Sequence, residues 1–379
     1  MMLNTLPLLV FWVSIGLLFY TFVGYGLFIS ALARWRPKVR SAPVDGAAQP
    51  SVCVVLVALN EEENIQARLR NLLESQYPAE KLRVVMISDG STDATVARAR
   101  SLQDRRIEIV ERPDRAGKAA GLNLALSQAE AEVVIFTDAR QSFAPDAVAR
   151  LAAHFADPAI GAVSGSLEIA PAASATGSGI DTYWRYEKWL RAGESRFDSC
   201  VGCTGAIYAL RPGLFAPIPE DTLLDDVVIP MEAAARGARI IHDPEARAFD
   251  PQSLEPEAEL RRKQRTLAGG FQMLFRHPGW MLPWRHRLWW QLISHKYLRL
   301  LAPFLLLLAF LSNLLLADRP FYAVCLAGQV CFFLAAALSH LPAMRRWKLG
   351  RIPAGFVFLN LQVLRGLRYY LAGAGRQGW

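Results

Sequence analysis

The chain has 379 residues, 53% of them hydrophobic, with a formal net charge of +8. This hydrophobic share and a mean hydropathy of +0.19 exclude an ordinary soluble protein, because the apolar residues gather at the two ends. The charge does not point to nucleic acid: Arg34, Arg36, Lys38 and Arg40, then Arg345, Arg346 and Lys348, flank apolar runs in the way cytoplasmic membrane flanks do.

Residues 1–33 carry no charge and exceed the roughly 20 residues needed to cross a bilayer. They lack a basic leader and a small-residue cleavage site, so residues 1–40 read as an anchor with its N-terminus outside. Residues 41–50, rich in Pro, Ala and Gly, read as a linker into a cytoplasmic domain. Strands are predicted at Val52–Val57, Leu82–Ile87, Ile107–Val110 and Val133–Phe136. Between them lie predicted helices at Glu62–Ser75, with Ile65, Leu69, Leu72 and Leu73 on one face, at Asp93–Gln103 and at Ala119–Gln128. Such alternation predicts an α/β domain with a mostly parallel sheet. Residues 171–179 read as a loop and 180–196 as a helix bearing Tyr183, Trp184, Tyr186 and Trp189. Those aromatics either stack on a bound acceptor or pack against a core, and helical spacing favours packing.

From Arg276 onward, tryptophans alternate with basic residues, which predicts interfacial helices over 276–298. Leu300–Ala317 and Phe321–Leu341 read as two spans joined by the turn Asp318-Arg319-Pro320. Residues 352–374 are apolar but contain Arg365 and Arg368, and read either as a further span or as an interfacial helix. The C-terminal membrane region is thus 299–379. Of the five cysteines, Cys200 and Cys203 form a lone C-x-x-C without partners, so all five read as small packed residues in a reducing compartment.

In open α/β sheets, ligands bind beyond the carboxyl ends of the strands. Four features fall there: Asn60-Glu61-Glu62, Ser88-Asp89-Gly90-Ser91-Thr92-Asp93, Gly117-Lys118 and Asp138. Carboxylates at Glu61 and Asp89 suit a nucleobase or ribose, Lys118 a diphosphate, and Asp138 a metal or a ribose hydroxyl. Each has a local alternative as well: an N-cap for Asp93, a turn residue for Gly90, an Asx turn for Asp138. On local grounds Asp225-Asp226 reads as the acidic first turn of a helix.

The ordered set Leu59–Glu62, Ser88–Asp93, Gly117–Ala119, Thr137–Arg140, Gly202–Gly205, Leu224–Asp226 and Arg262–Thr266 resembles membrane-embedded family 2 glycosyltransferases, the group that includes cellulose, hyaluronan and poly-N-acetylglucosamine synthases. The resemblance covers about residues 51–275. It implies a GT-A, Rossmann-like fold between membrane helices in a multi-pass plasma (inner) membrane protein, and inverting transfer from a UDP-sugar donor to a growing polysaccharide or another membrane-associated acceptor. Membrane lipids and a biosynthesis or secretion complex are the partners it implies. By position, Asn60, Glu61 and Asp89 would contact the nucleoside. Lys118 would lie at the diphosphate, and Asp138 would be the first acid of the Asp-x-Asp that holds Mg or Mn. Asp226 would be the catalytic base, with Asp225, Gly205, Arg262 and Arg265 on the acceptor and diphosphate side.

Four residues depart from that pattern, one of them Arg262, which stands where a glutamine is expected. Arg140 replaces the second metal-binding aspartate, so either Arg140 pairs with the diphosphate or Asp138 holds the metal with diphosphate and water. Thr266 replaces a tryptophan, which weakens the case for long-polymer synthesis and leaves single transfer to a polyprenyl-phosphate-type lipid open. Leu59 replaces a frequent tyrosine. A non-catalytic nucleotide-sugar-binding partner is the remaining reading.

Overall fold

The computed structural model describes residues 5–36, 49–169, 175–250, 256–339 and 348–373. Eight strands form one sheet: β1 (Val52–Ala58), β2 (Leu82–Asp89), β3 (Ile107–Arg112), β4 (Val133–Thr137), β5 (Ser142–Phe143), β6 (Ile160–Ile169), β7 (Ile207–Leu210) and β8 (Arg239–Asp250). Their order is β3-β2-β1-β4-β7-β6-β8-β5. The first four are parallel, as the alternation predicts. Beyond β4 the sheet is mixed, because β7 runs antiparallel to both β4 and β6, and β5 to β8. Ala58, Ser88 and Thr137 finish at one edge, since Ala58 pairs with Ser88 and Leu56 with Thr137.

Strand β1 is buried along its whole length. Its side chains alternate between two cores. Val52, Val54, Leu56 and Ala58 meet α2 (Ile65–Leu73) and α5 (Ala147–Ala153) on the first face, while Cys53, Val55 and Val57 enter the second. That second core holds residues of α4 (Lys118–Gln128), α7 (Asp225–Ala235) and α8 (Pro256–Arg276), and it continues into Leu292, Tyr297 and Leu300 of α9 (Trp289–Leu314) and Val363 of α11 (Lys348–Leu371). Each large apolar side chain contributes about 1.5–3 kcal/mol on burial, so the second core joins the sheet and the C-terminal helices into one body.

Among the described residues three helices are long and apolar enough to cross a membrane: α1 (Thr5–Ala33), α9 (Trp289–Leu314) and α10 (Pro320–Leu338). Helix α11 is not among them. Its start packs on α1 and α10, with Phe356 against Phe22 and Phe332, and its end lies along α8, with Tyr370 stacked on Phe275.

Several boundaries shift from the sequence reading. Helix α2 begins at Ile65 because Glu61–Asn64 form a turn tied to the next loop. Helix α3 (Thr95–Arg100) is shorter than expected. Helix α6 (Ala175–Phe197) starts inside the loop expected at 171–179, while residues 170–174 and linker residues 41–48 lie outside the described residues. The interfacial stretch 276–298 is only partly a separate layer, because from Trp289 it is the start of α9. Tyr186 and Trp189 pack together beside α1, where Trp189 lies over Gly26, so these two are packing residues. The side chains of Tyr183 and Trp184 lie outside the described part of the structure. All five cysteines are free, with Cys53, Cys200 and Cys203 buried.

Candidate active site

The loops after β1 and β2 lock together. Asn60 adopts φ 53°, a left-handed conformation that asparagine tolerates, and its Oδ1 accepts from the Thr92 amide at 2.9 Å. The Glu61 amide donates to Thr95 Oγ1 at 2.8 Å, and Asp93 Oδ1 accepts from the Thr95 amide at 3.0 Å, so Asp93 closes the start of α3 as its sequence position suggests. Glu61 itself accepts from Asn64 Nδ2 at 2.8 Å. Gly90 has φ 73°, and a Cβ there would stand 2.8 Å from the Arg115 amide nitrogen, so only glycine lets the 114–117 segment approach β2 this closely.

That approach gives Asp89 a different task from the one its position implies. Its side chain is 0% exposed. Its two oxygens accept from the amides of Ala116 at 3.0 Å and Gly117 at 2.7 Å. The carboxylate is therefore not presented to a nucleoside; it fixes the turn that presents Lys118.

Lys118 Nζ lies 2.9 Å from Asp138 Oδ1 and 3.4 Å from Asp225 Oδ2. Burial pulls the ammonium down, but Asp138 and Asp225 outweigh it and hold it above its ordinary value. Burial likewise pushes Asp138 up, but Lys118, Arg262 and Arg265 hold it below the usual carboxylate range. The two arginines of α8 thus act on the same spot as Lys118.

Asp225 and Asp226 do form the acidic first turn of α7, and this helical role coexists with a place in the site. Asp226 Oδ2 accepts from the Gly205 amide at 3.1 Å, and a Cβ on residue 205 would stand 3.0 Å from that oxygen. Burial, then the neighbouring Asp225 carboxylate, pushes Asp226 up to about 6, against the pull of Lys118, Arg191 and Lys296. A carboxylate with that affinity, set beside a lysine and a metal-competent aspartate, suits general-base work near neutral pH. Gly205 therefore holds the Asp226 carboxylate directly.

Arg140 does not face the diphosphate side. Its Nη2 lies 2.5 Å from Asp250 Oδ2 at the end of β8, where Gln141 also donates, so the charge that displaced the second aspartate is spent on a buried partner. Among the described residues no group of three or more His, Cys, Asp or Glu side chains is arranged to hold a metal ion. Asp138, with its side chain one-third exposed (33%), supplies one carboxylate. That fits a magnesium or manganese ion which completes its shell from diphosphate and water.

The sequence reading missed a buried ionic cluster behind Asp226. Glu187 accepts from His295 Nε2 at 2.8 Å and Arg299 Nη1 at 2.9 Å, with Arg191 Nε and Lys296 Nζ at 3.7 and 3.6 Å. Glu194 accepts from Tyr25 Oη at 2.7 Å and faces His295 Nδ1 at 2.9 Å. The signal was present on one side only: His295, Lys296 and Arg299 are ionisable side chains within an apolar helix, and such groups rarely lack a purpose.

The comparisons with known proteins agree with this geometry. The chain matches the model of glycosyl transferase family group 2 over residues 133–340, and that of glycosyl transferase family 2 over 53–211. It belongs to the family 2 glycosyltransferases. Over 96% of its length it superposes on the mannosyltransferase PcManGT of Pyrobaculum calidifontis, solved with GDP-Man and Mn2+, with TM-score 0.70, 25% identity and 99% of that chain covered. The fold is GT-A. An N-acetylglucosaminyltransferase of Rhizobium meliloti is 31% identical over 48% of this chain and 44% of its own length. A beta-monoglucosyldiacylglycerol synthase of Synechocystis is 30% identical over 34% of this chain and 27% of its own. The chain thus spans less than half the length of either curated relative.

Proposed function

We propose that this chain is an inverting hexosyltransferase that moves a sugar from a UDP-sugar to the hydroxyl of a saccharide or lipid acceptor at the cytoplasmic face of the plasma membrane. The observation that carries this reading is Asp226, held by the Gly205 amide and lifted to about 6, beside the Lys118–Asp138 pair. Asp226 takes the proton of the acceptor hydroxyl as its oxygen bonds to the anomeric carbon. The bond from that carbon to the diphosphate breaks, and the electron pair leaves with the diphosphate. Lys118, Arg262 and Arg265 supply positive charge where the leaving group gains its negative charge. A divalent ion held by Asp138 would add charge on the same diphosphate. Asn60 and Glu61 flank the nucleoside end, and the basic clusters after α1 and α10 support a cytoplasmic catalytic domain.

A specific observation favours short products. Thr266 stands in α8 where the resemblance implies an aromatic platform, and its hydroxyl is turned to its own helix, donating to the Arg262 carbonyl at 3.0 Å. Single transfer to a membrane lipid is therefore the second reading.

The test uses the full chain in nanodiscs with a panel of UDP-sugars, GDP-mannose as a contrasting donor, and Mg2+, Mn2+ or chelator. UDP release from one donor, lost by about 10³-fold in Asp226→Asn with donor binding intact, is the expected result. A ladder of sugars identifies a polymerase and one lipid-linked sugar a monotransferase. UDP binding without release under every condition would overturn the reading in favour of a nucleotide-sugar-binding partner.

A further inference from the structure

Arg191 on α6 occupies a singular place in the buried ionic cluster. Its Nη1 donates to Thr204 Oγ1 at 2.8 Å. Thr204 is fixed a second time, because its amide donates to Ser164 Oγ at 3.0 Å. The next residue, Gly205, donates its amide to Asp226, and the Cys203 amide donates to the Asp226 carbonyl at 2.8 Å. The turn 203–205 thus grips both the backbone and the carboxylate of Asp226, and Arg191 grips the turn. Behind Arg191, Glu187 ties it to His295, Lys296 and Arg299 at the start of α9.

We infer that Arg191 is a positioning residue for the base: a strut that transmits the seating of α9 through Glu187 to the Thr204–Gly205 turn and so to Asp226. This rests on the reading of Asp226 as base. The energetic reason is burial. An arginine placed in the interior requires compensating partners, and here Nη1 donates to a hydroxyl in the turn at 2.8 Å while Nε, without a hydrogen bond of its own, lies 3.7 Å from the Glu187 carboxylate on the same helix. A packing role would need no such connection. Among the described residues, the charged groups that weigh most on Asp226 are Asp225 from its own helix, Lys118 from α4, Arg191 from α6 and Lys296 from α9. Removing Arg191 takes away one of these cations, so the proton is held more tightly and the base is ionised only at higher pH.

The test compares Arg191→Met, Arg191→Lys and Thr204→Val with the wild-type chain in nanodiscs. In Arg191→Met, kcat falls about 10²-fold at little change in donor KM, as expected when a reacting group is displaced by about 1 Å, and the acid limb of kcat moves to higher pH. Arg191→Lys restores the limb but not the full rate, because it keeps the charge and loses the fork. Thr204→Val lowers kcat by about tenfold, the scale of one hydrogen bond to a charged group, with the limb in place. Amide exchange of residues 202–206 rises in both Arg191→Met and Thr204→Val. If Arg191→Met loses thermal stability but keeps the wild-type kcat and acid limb, the inference is wrong while Asp226 as base stands. If Asp226→Asn turns over normally, the base reading is wrong instead. Unchanged exchange over 202–206 in both variants would overturn the strut whether or not a donor has been found.

Discussion

The two faces of the sheet teach different lessons. On the first face the core is closed by short helices from nearby sequence, with Ile65, Leu69, Leu72, Val148 and Leu151 pressed on alternate residues of β1 and β4, and the buried Arg68 of α2 is held by Thr137 at 2.6 Å. On the second face the apolar core is interrupted by the ion pairs of Lys118, and beside the local helix α4 its helices come from far along the chain. Apart from Arg68, which is coupled to Asp138 from the first face, the charged groups of the proposed chemistry hang on the second face or on the strand ends beside it. The first face is therefore expected to act mainly on stability, and the second mainly on turnover.

The largest effect that would sharpen this contrast is the loss of about 10³-fold in turnover for Asp226→Asn, with a thermal midpoint near that of the wild type. Next is Gly205→Ala. The added Cβ would meet Asp226 Oδ2 at 3.0 Å, and displacement of the base should cost about 10- to 10²-fold in kcat, with donor KM little changed. The converse test is Leu69→Ala, at 0% exposure on the first face. It should cost about 2–5 kcal/mol of stability in denaturant or heat, while kcat measured well below the midpoint stays within about twofold of the wild type. A large drop in kcat from Leu69→Ala would break the division of labour. The smallest effect is in pH. A base lifted to about 6 is protonated and idle below that value and ionised above it. The kcat/KM profile should rise through about pH 6, and a limb near pH 4 would show that Asp226 does not govern the rate.

The strand ends were legible because parallel strands buried on both faces leave continuous apolar runs, and the polar residue after each run marks the edge of the sheet. Asp138 was found in that way, whereas Lys118 was read at the start of a helix and Asp226 from the resemblance; Lys118 lies 2.9 Å from Asp138. The mixed half of the sheet was not legible, since β5 is only Ser142–Phe143 and its pairing with Ala248 and Phe249 of β8 leaves no periodic trace. Nor was Arg140's orientation, because its partner Asp250 stands 110 residues away. Asp89 misled for a different reason. A carboxylate at a strand end satisfies a backbone turn as readily as a ligand, and only its complete burial separates the two. Glu187, Arg191 and Glu194 recur at helical spacing, which looks like a solvated face until His295, Lys296 and Arg299 are brought against it.

The continuity of the second core also has a consequence in time. Strands β1 to β4 are synthesised well before Leu292, Tyr297 and Leu300, yet those side chains close the core that Cys53, Val55 and Val57 open. A nascent chain released up to α8 would carry all the acidic residues of the site above an uncovered apolar face. Competence arrives only when α9 has been made and seated, so the order of synthesis itself keeps a half-built enzyme from acting before its apolar helices are in place.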